Sequence, residues 1–474
     1  MKRYILTTIL FLTVCFILPF SSFGQLSHSG YFLDGSLYRH NMNPSFMGDR
    51  NYISIPGIGN LSIGAQGNVG LTDFIYKYDD PNGKYTMTTF MSSTVNKEEF
   101  LSKLQDENYI QTNLDLTLLS FGFYGFGGYN TFGINVHTDV FSNMPYELFD
   151  FMKTGMSASN VEYRIRDLRV VSDAYTEIAI GHAHRINDRI TIGFKLKLLL
   201  GGARADADIR QLDISSSQDK WEIIASGSLD AAISDASFET ENETKGEKIT
   251  GFDTDDTGLN GWGLGTDIGI TYELSRDITF SGALLNLGFI SWNTTLKGET
   301  INDPYLFDGF ENIAVDDDDN NSKDFGEQLN DLGDDLSDLA KFYDQGKKSG
   351  ERTMLTTTLN LAAEYKMPFY RKLSAGFLWS TQFNPIYTWS EARISANIAP
   401  VRWFDCSVNI GISNLSTSLG CMMNFHPRGF NFFIGSDQMI MKVNSQYIPL
   451  NNLGANISMG LNIPFGKIMS DNSL

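Results

Sequence analysis

The densest set of metal-competent side chains in this sequence is a run of oxygen donors. Asp316, Asp317, Asp318 and Asp319 are followed directly by Asn320 and Asn321, and oxygens of this kind are what calcium takes as ligands. The run lacks the spacing, the glycine and the terminal glutamate of an EF-hand loop, so it reads as a solvated acidic loop. Asp253, Asp255 and Asp256 read the same way. His182 and His184 sit two apart, on one face of a strand, where a pair can grip a metal, but no third ligand accompanies them. The glycine-rich stretch 121–128 lacks the lysine and the strand-to-helix setting of a phosphate loop. Glycines inside a strand let the chain bend or let another segment come close. No Gly-x-Ser-x-Gly, His-Glu-x-x-His or Walker pattern is present, and no nucleophile, base and orienting group can be assembled. The residues therefore predict no enzyme, no cofactor and no resident metal.

Cys406 and Cys421 are the two cysteines beyond the first 24 residues. If Ser413 and Asn414 form a two-residue hairpin turn, the two fall opposite one another, close enough for a disulfide. The alternative is two small apolar side chains on the outer face of the same hairpin.

The elements that carry these residues show period two. From Ile190 to Leu200 every even position is apolar, and Thr191, Gly193, Lys195 and Lys197 fill odd ones. Trp262, Leu264, Ile268, Ile270 and Tyr272 share one face, against Gly263, Gly265, Asp267, Gly269 and Thr271. Leu355, Leu359, Leu361, Ala363 and Tyr365 alternate with Thr356, Thr358, Asn360 and Glu364, and the same pattern recurs over 373–383 and 453–465. Such runs are strands with one apolar face. They are about 10–12 residues long, which suits a tilted membrane-crossing strand. The opposite face is Gly, Ser, Thr, Asn and charge, which suits a wet lumen.

Candidate strands lie near 60–71, 84–92, 113–124, 130–141, 173–184, 188–200, 205–214, 220–230, 261–273, 277–288, 354–366, 372–383, 387–399, 402–412, 415–426, 428–435 and 453–465. Some read as loop hairpins. Together with the even count of bacterial single-chain barrels, this predicts an all-β transmembrane barrel of about 14 antiparallel strands. A soluble sandwich or propeller is the competing architecture. No blade-length repeat appears, and a sandwich would need shorter strands.

The compartment is written at the start. Lys2 and Arg3 precede an apolar stretch, Ile5 to Leu18, closed by Pro19, with Ser22 and Gly24 placed for cleavage before Gln25. Residues 1–24 are thus expected to be a secretory signal peptide. Beyond residue 25 no apolar run approaches the roughly 20 residues of a spanning helix, so a membrane role means a barrel. Aromatic residues make up 13% of the 474, with 44 Gly against 12 Pro, and the formal charge is −20. That balance excludes nucleic acid as a partner.

Residues 25–58 show turn signals and little alternation, and are expected to fill the lumen as a plug before a barrel over 59–474. Three insertions read as helical: one capped by Asn96, one over Tyr146–Met152, and one over Asp324–Tyr343. The last lies in a long acidic insertion at about 289–353 and stripes Leu329, Leu332, Leu336, Leu339 and Phe342 along one side. It is expected either to pack over the barrel mouth or to dock a partner.

Gly30 to Phe46, followed by Ile53 to Gly64, resembles the opening of a Bacteroidota outer-membrane barrel family known as a domain of unknown function. Through Asn43, Pro44 and Ser45 it is also distantly similar to the FadL-like barrels, which include long-chain fatty acid transporters and the PorV and PorQ barrels of a secretion system. There the motif carries alanine in place of Ser45. This resemblance implies a 14-stranded outer-membrane barrel, an N-terminal plug, and uptake or binding of a small hydrophobic molecule. The alternative is a non-transporting scaffold that docks secretion or surface proteins. Membrane lipid is the one partner both readings share.

Overall fold

In the computed structural model the described residues are 28–79, 85–92, 94–154, 161–217, 220–254, 258–302, 304–307, 340–439 and 454–466. Residues 1–24, the acidic run 316–321 and Leu329, Leu332, Leu336 and Leu339 lie outside them. Fourteen strands form one closed antiparallel ring. In chain order they are β1 (Asn51–Ser54 and Leu61–Gly67), β2 (Glu107–Gly125), β3 (Gly128–Pro145), β4 (Glu162–Asn187), β5 (Ile190–Ser217), β6 (Gly261–Glu273) and β7 (Ile278–Trp292). They continue with β8 (Glu351–Met354 and Thr357–Lys366), β9 (Leu373–Phe383), β10 (Thr388–Val401), β11 (Phe404–Ser413), β12 (Thr417–Phe425), β13 (Asn431–Ser436) and β14 (Gly454–Phe465). Each pairs with its chain neighbours. The ring closes where Ile53 meets Ile463 and Ile63 meets Ile457. One end carries short turns, such as 125–128, 187–190 and 401–404, and the other carries the long loops.

The alternation is inside-out relative to a soluble protein. On β5, Ile192, Phe194, Leu196 and Leu198 are 41–50% exposed, while Lys195 and Lys197 are 5% and 7% exposed. Trp262, Leu264, Phe377, Trp379, Val408 and Ile410 extend the outward belt around the ring. Asp267, Asn360, Ser380, Asn409, Asn424 and Asn462 face inward and are buried. An outward apolar belt this continuous is stable only against lipid or detergent.

Two strands overshoot the barrel. β4 and β5 have 26 and 28 residues, against the 9–11 or so a crossing needs. Their far halves support an added sheet at the long-loop end, built from Lys220–Ile233, Thr295–Thr300, Tyr305–Phe307, Phe342–Lys348, Gly246–Thr254 and Ala236–Glu243. It has its own apolar core, including Ile165, Leu212, Ile214, Ile223, Leu229 and Phe342. Helix α1 (Lys97–Leu101) is capped as expected: Asn96 Oδ1 accepts from the Glu99 N–H at 2.8 Å. Helix α2 (Tyr146–Thr154) lays Leu148 and Phe151 into the sheet's core. Phe90, Phe100 and Phe149 form a second aromatic cluster beside it.

Several expectations change. Residues 51–54 belong to the wall, because β14 extends to Phe465 and pairs them. Residues 85–89 form a loop hairpin with 75–79. The candidates 205–214 and 220–230 belong to the added sheet. The long insertion runs over 293–350, bounded by β7 and β8. Phe342 stands in a strand, 5% exposed in that sheet's core, and not on a docking stripe. Leu355 turns inward because β8 breaks at 355–356. The cysteine pairing is not made: the hairpin turns through Ser413–Ser416, so Cys406 opposes Met423, Cys421 opposes Val408, and both thiols are free. A two-residue turn is two residues too short here. Both cysteines do keep to the apolar outer face.

Val408 lies mid-strand on the outer belt, 51% exposed. Val408→Arg is expected to cost about 2–4 kcal/mol of folding stability in lipid. The unfolded fraction on a gel run without boiling, across a urea series in vesicles, measures it.

Candidate functional site

The lumen is filled from its middle to its short-turn end by residues 28–50. The backbone N–H groups of His28 and Ser29 both donate to the Asp437 carboxylate at 2.7 Å. The Gly35 N–H donates to Asp405 at 3.0 Å, and the Tyr38 hydroxyl donates to Asn462 at 2.8 Å. Lys195 donates to Asn41 at 2.6 Å, and Asn360 donates to the Met42 carbonyl at 3.0 Å. Arg50 lies against His426 near the last short turn. These partners stand on β5, β8, β11, β14 and the ends of β12 and β13, so the segment is held from opposite walls.

Asn43, Pro44 and Ser45 sit at the closest approach of this segment to the wall. Asn43 is fully buried. Its amide spans from β6 to β7, donating to the carbonyls of Ile270 and Gly282, while its Oδ1 accepts from the Ser45 N–H and hydroxyl. Ser45 Oγ lies 2.7 Å from Thr271 Oγ1. The facing wall positions are glycines. A Cβ on Gly193 would stand 2.1 Å from the Pro44 carbonyl group, and one on Gly269 would stand 2.1 Å from Asn43 Oδ1. Only a residue without Cβ lets the two backbones meet here.

Above this segment lies a cavity of about 110 Å³. Its wall on β2 to β7 is ionic. Lys197 Nζ bridges Glu177 at 3.0 Å and Asp267 at 2.9 Å, and donates to Asn286. His137 pairs with Asp115 and reaches Glu177 at 3.8 Å. Asn135 donates to Glu177 at 3.0 Å. Asn286 is a bulge residue in the left-handed region, φ 58°, and its N–H donates to Asp267. The bulge is what turns its amide toward Lys197. Lys197, Glu177 and Asp267 thus each meet an opposite charge and further hydrogen bonds, as burial requires, while Lys195 beside them is held by Asn41 of the N-terminal segment.

On one side this cavity reaches Asn60, Leu116 and Thr117. These flank the one gap in β1, residues 55–60, and the bulge at Leu118 in β2. The gap is bridged on each side by two backbone bonds: to β2 by Gly57 N–H to the Leu118 carbonyl and Thr117 N–H to the Asn60 carbonyl, and to β14 by Ile55 N–H to the Leu461 carbonyl and Leu461 N–H to the Ile58 carbonyl. Toward the long-loop end comes an apolar layer: Tyr175, Leu199, Ala232, Ile290, Trp292 and Leu355.

A family of unknown function, DUF5723, has a model that matches residues 44–437. The chain belongs to that family. No curated protein matches it in sequence. Among solved structures, the toluene transporter TbuX of Ralstonia pickettii aligns over 94% of this chain and 98% of its own, at 9% identity and a TM-score of 0.40. A Pseudomonas aeruginosa FadL homologue aligns over 93% and 95%, at 11% identity and 0.39. The translocator domain of the autotransporter NalP from Neisseria meningitidis aligns over 87% and 89%, at 8% and 0.30. At these scores the likeness carries nothing about cargo. The strand count and closure of this DUF5723 member stand on its own pairing.

Of the residues singled out in sequence, Asn43, Pro44 and Ser45 come together with Gly193, Gly269 and Thr271 on the wall. His182 and His184 stack at 5.8 Å near a short turn, with Asn130 as a hydrogen-bond partner. Sequence reasoning missed the ionic layer. Its members sit on the polar face of the alternation, but their meeting depends on cross-strand register, which the alternation does not encode.

Gly193→Val is expected to displace residues 43–45 at a cost of about 1–3 kcal/mol. Ser45→Cys should then label with a maleimide in the Gly193→Val background and stay protected without it. Lys197→Met leaves Asp267 without its ion pair and Glu177 with His137 at 3.8 Å, and is expected to destabilise by about 3–5 kcal/mol. Adding Asp267→Asn should restore part of the lost thermal stability.

Proposed function

We propose that this protein is an outer-membrane barrel, exported by residues 1–24, that binds or takes up a small molecule with an apolar body and a polar head. Residues 28–50 act as its plug, with the short turns on the periplasmic side and the long loops outside. The observation that carries the reading is the place of the lumenal cavity. It is closed below by the plug, lined by hydrogen-bonding side chains, and bounded at Asn60, Leu116 and Thr117 by the interrupted wall. Ile53, Ile58 and Leu118 face outward at that interruption, 39–52% exposed. A polar head would be held among Asn113, Asn135 and Thr117, while the apolar body lies toward the outer belt. Thr117 donates to Asn135, Asn135 to Glu177 and Asn113 to Asp115, and the donors and lone pairs these bonds leave over are what a polar head would engage.

A second reading, a scaffold for surface proteins, is favoured by the added sheet. Two overlong barrel strands carry it, and its separate apolar core makes it a folded platform outside the membrane.

Calorimetric titration with dodecanoate, on protein in lipid nanodiscs, tests the first reading. Binding by the native chain, weakened about ten-fold or more by Thr117→Trp, which fills the cavity, is expected. No binding by the native chain would discard uptake and leave the scaffold.

A further inference from the structure

A second and larger cavity, about 430 Å³, lies where the barrel mouth meets the added sheet. Its size falls in the range of roughly 300–1,000 Å³ typical of small-molecule sites. Its walls come from three places. Arg204 and Asp206 project from the far half of β5. Asp230 and Lys297 project from two strands of the added sheet. Lys348 and Glu351 flank the turn into β8. Trp292 and Ala232, members of the apolar layer, also line it.

The charges that turn inward here are already matched, and Arg352, which also borders the cavity, points outward over the Phe289 ring at 5.1 Å. Arg204 holds Asp173 at 2.6 Å and Asp206 at 2.9 Å. Lys297 holds Asp230 at 2.6 Å and Glu351 at 2.7 Å. Lys348 holds Glu351 at 2.8 Å. An incoming ion would have to break one of these pairs and leave a half-buried charge alone. A hydroxyl needs no such exchange. Each carboxylate has about four lone-pair sites and each guanidinium five N–H donors, so a paired wall still offers both acceptors and donors. A polyol, whose every hydroxyl both donates and accepts, satisfies them in place.

We propose that this mouth cavity is a saccharide-binding site that takes a neutral oligosaccharide from the medium. Glu351 and Thr353 stand at inward positions, opposite the inward Trp292 and Ile290. These inward side chains, with the far half of β5, turn the cavity toward the aqueous mouth. The assignment does not rest on what the lower cavity binds.

Saturation-transfer NMR on the full chain in nanodiscs tests it, with maltotriose and chitotriose as neutral probes and citrate as an ionic one. At least one trisaccharide should bind, and Asp230→Asn and Lys297→Met should each weaken it about ten-fold, with the unboiled gel mobility unchanged. Citrate should not bind. Lack of binding by both trisaccharides, binding unaltered in both variants, or binding of citrate in preference to the sugars would each overturn the assignment. Dodecanoate affinity, measured on the same variants, should stay unchanged, which separates this site from the lower one.

Discussion

Closure of the sheet dictates how the barrel wall, the lumen and the plug are built. Once Asn51–Ser54 and Leu61–Gly67 pair on one side with β14 and on the other with β2, no strand of the ring is left with a free edge. Every backbone group can then be satisfied without water, which is the condition for crossing lipid. A closed sheet has only two faces. With the outer one given to apolar side chains, every polar side chain of the ring must point inward and find its partners there. The lumen of this protein is therefore a packed polar interior. Its charges are met by opposite charges, as Lys197 by Glu177 and Asp267, or by hydrogen bonds, as Lys195 by Asn41, because a charge with neither would be prohibitive away from bulk water.

The N-terminal segment obeys the same constraint. A ring of this size is too wide for its own side chains to fill. Residues 28–50 supply the missing partners: backbone N–H groups for Asp437 and Asp405, a carbonyl for Asn360, an amide for Lys195. The fit is reciprocal. Where the segment presses hardest, at Asn43 and Pro44, the wall has given up its side chains at Gly193 and Gly269. What remains unfilled above it is the cavity beside the gap at 55–60 in β1.

The parts legible in sequence are those set by local rules. Period two marks which residues face outward on β5, β6, β9 and β14. The Asn96 cap marks a helix start. The turn-rich opening and its Asn-Pro-Ser step point to a segment off the wall. The parts that are not legible depend on register between distant strands. A hairpin turn longer by two residues moves Cys406 from Cys421 to Met423. A bulge at Asn286 builds the polar clamp on Lys197. The interruption at 355–356 turns Leu355 from the belt to the lumen. The full length of β4 and β5 is hidden because, past the barrel rim, their apolar positions serve a protein core and no longer mark a lipid face.

That continuation ties the two cavities together. On β4 the inward face runs unbroken from Glu177 through Tyr175 to Asp173, with Val171 and Arg169 beyond. Asp173 pairs across the sheet with Asp139 on one side and Arg204 on the other. Asp139 and Tyr175 line the lower cavity, and Arg204 lines the upper one. The same strand face thus carries charged groups from the filled lumen to the mouth. Leu199 pairs with Glu177 on the neighbouring strand, and with Tyr175 and Trp292 it forms an apolar layer between the two cavities. The two overlong strands are what join these levels, because a strand ending at the barrel rim would stop short of Asp173 and Arg204 and leave the mouth cavity without the guanidinium that β5 brings to it.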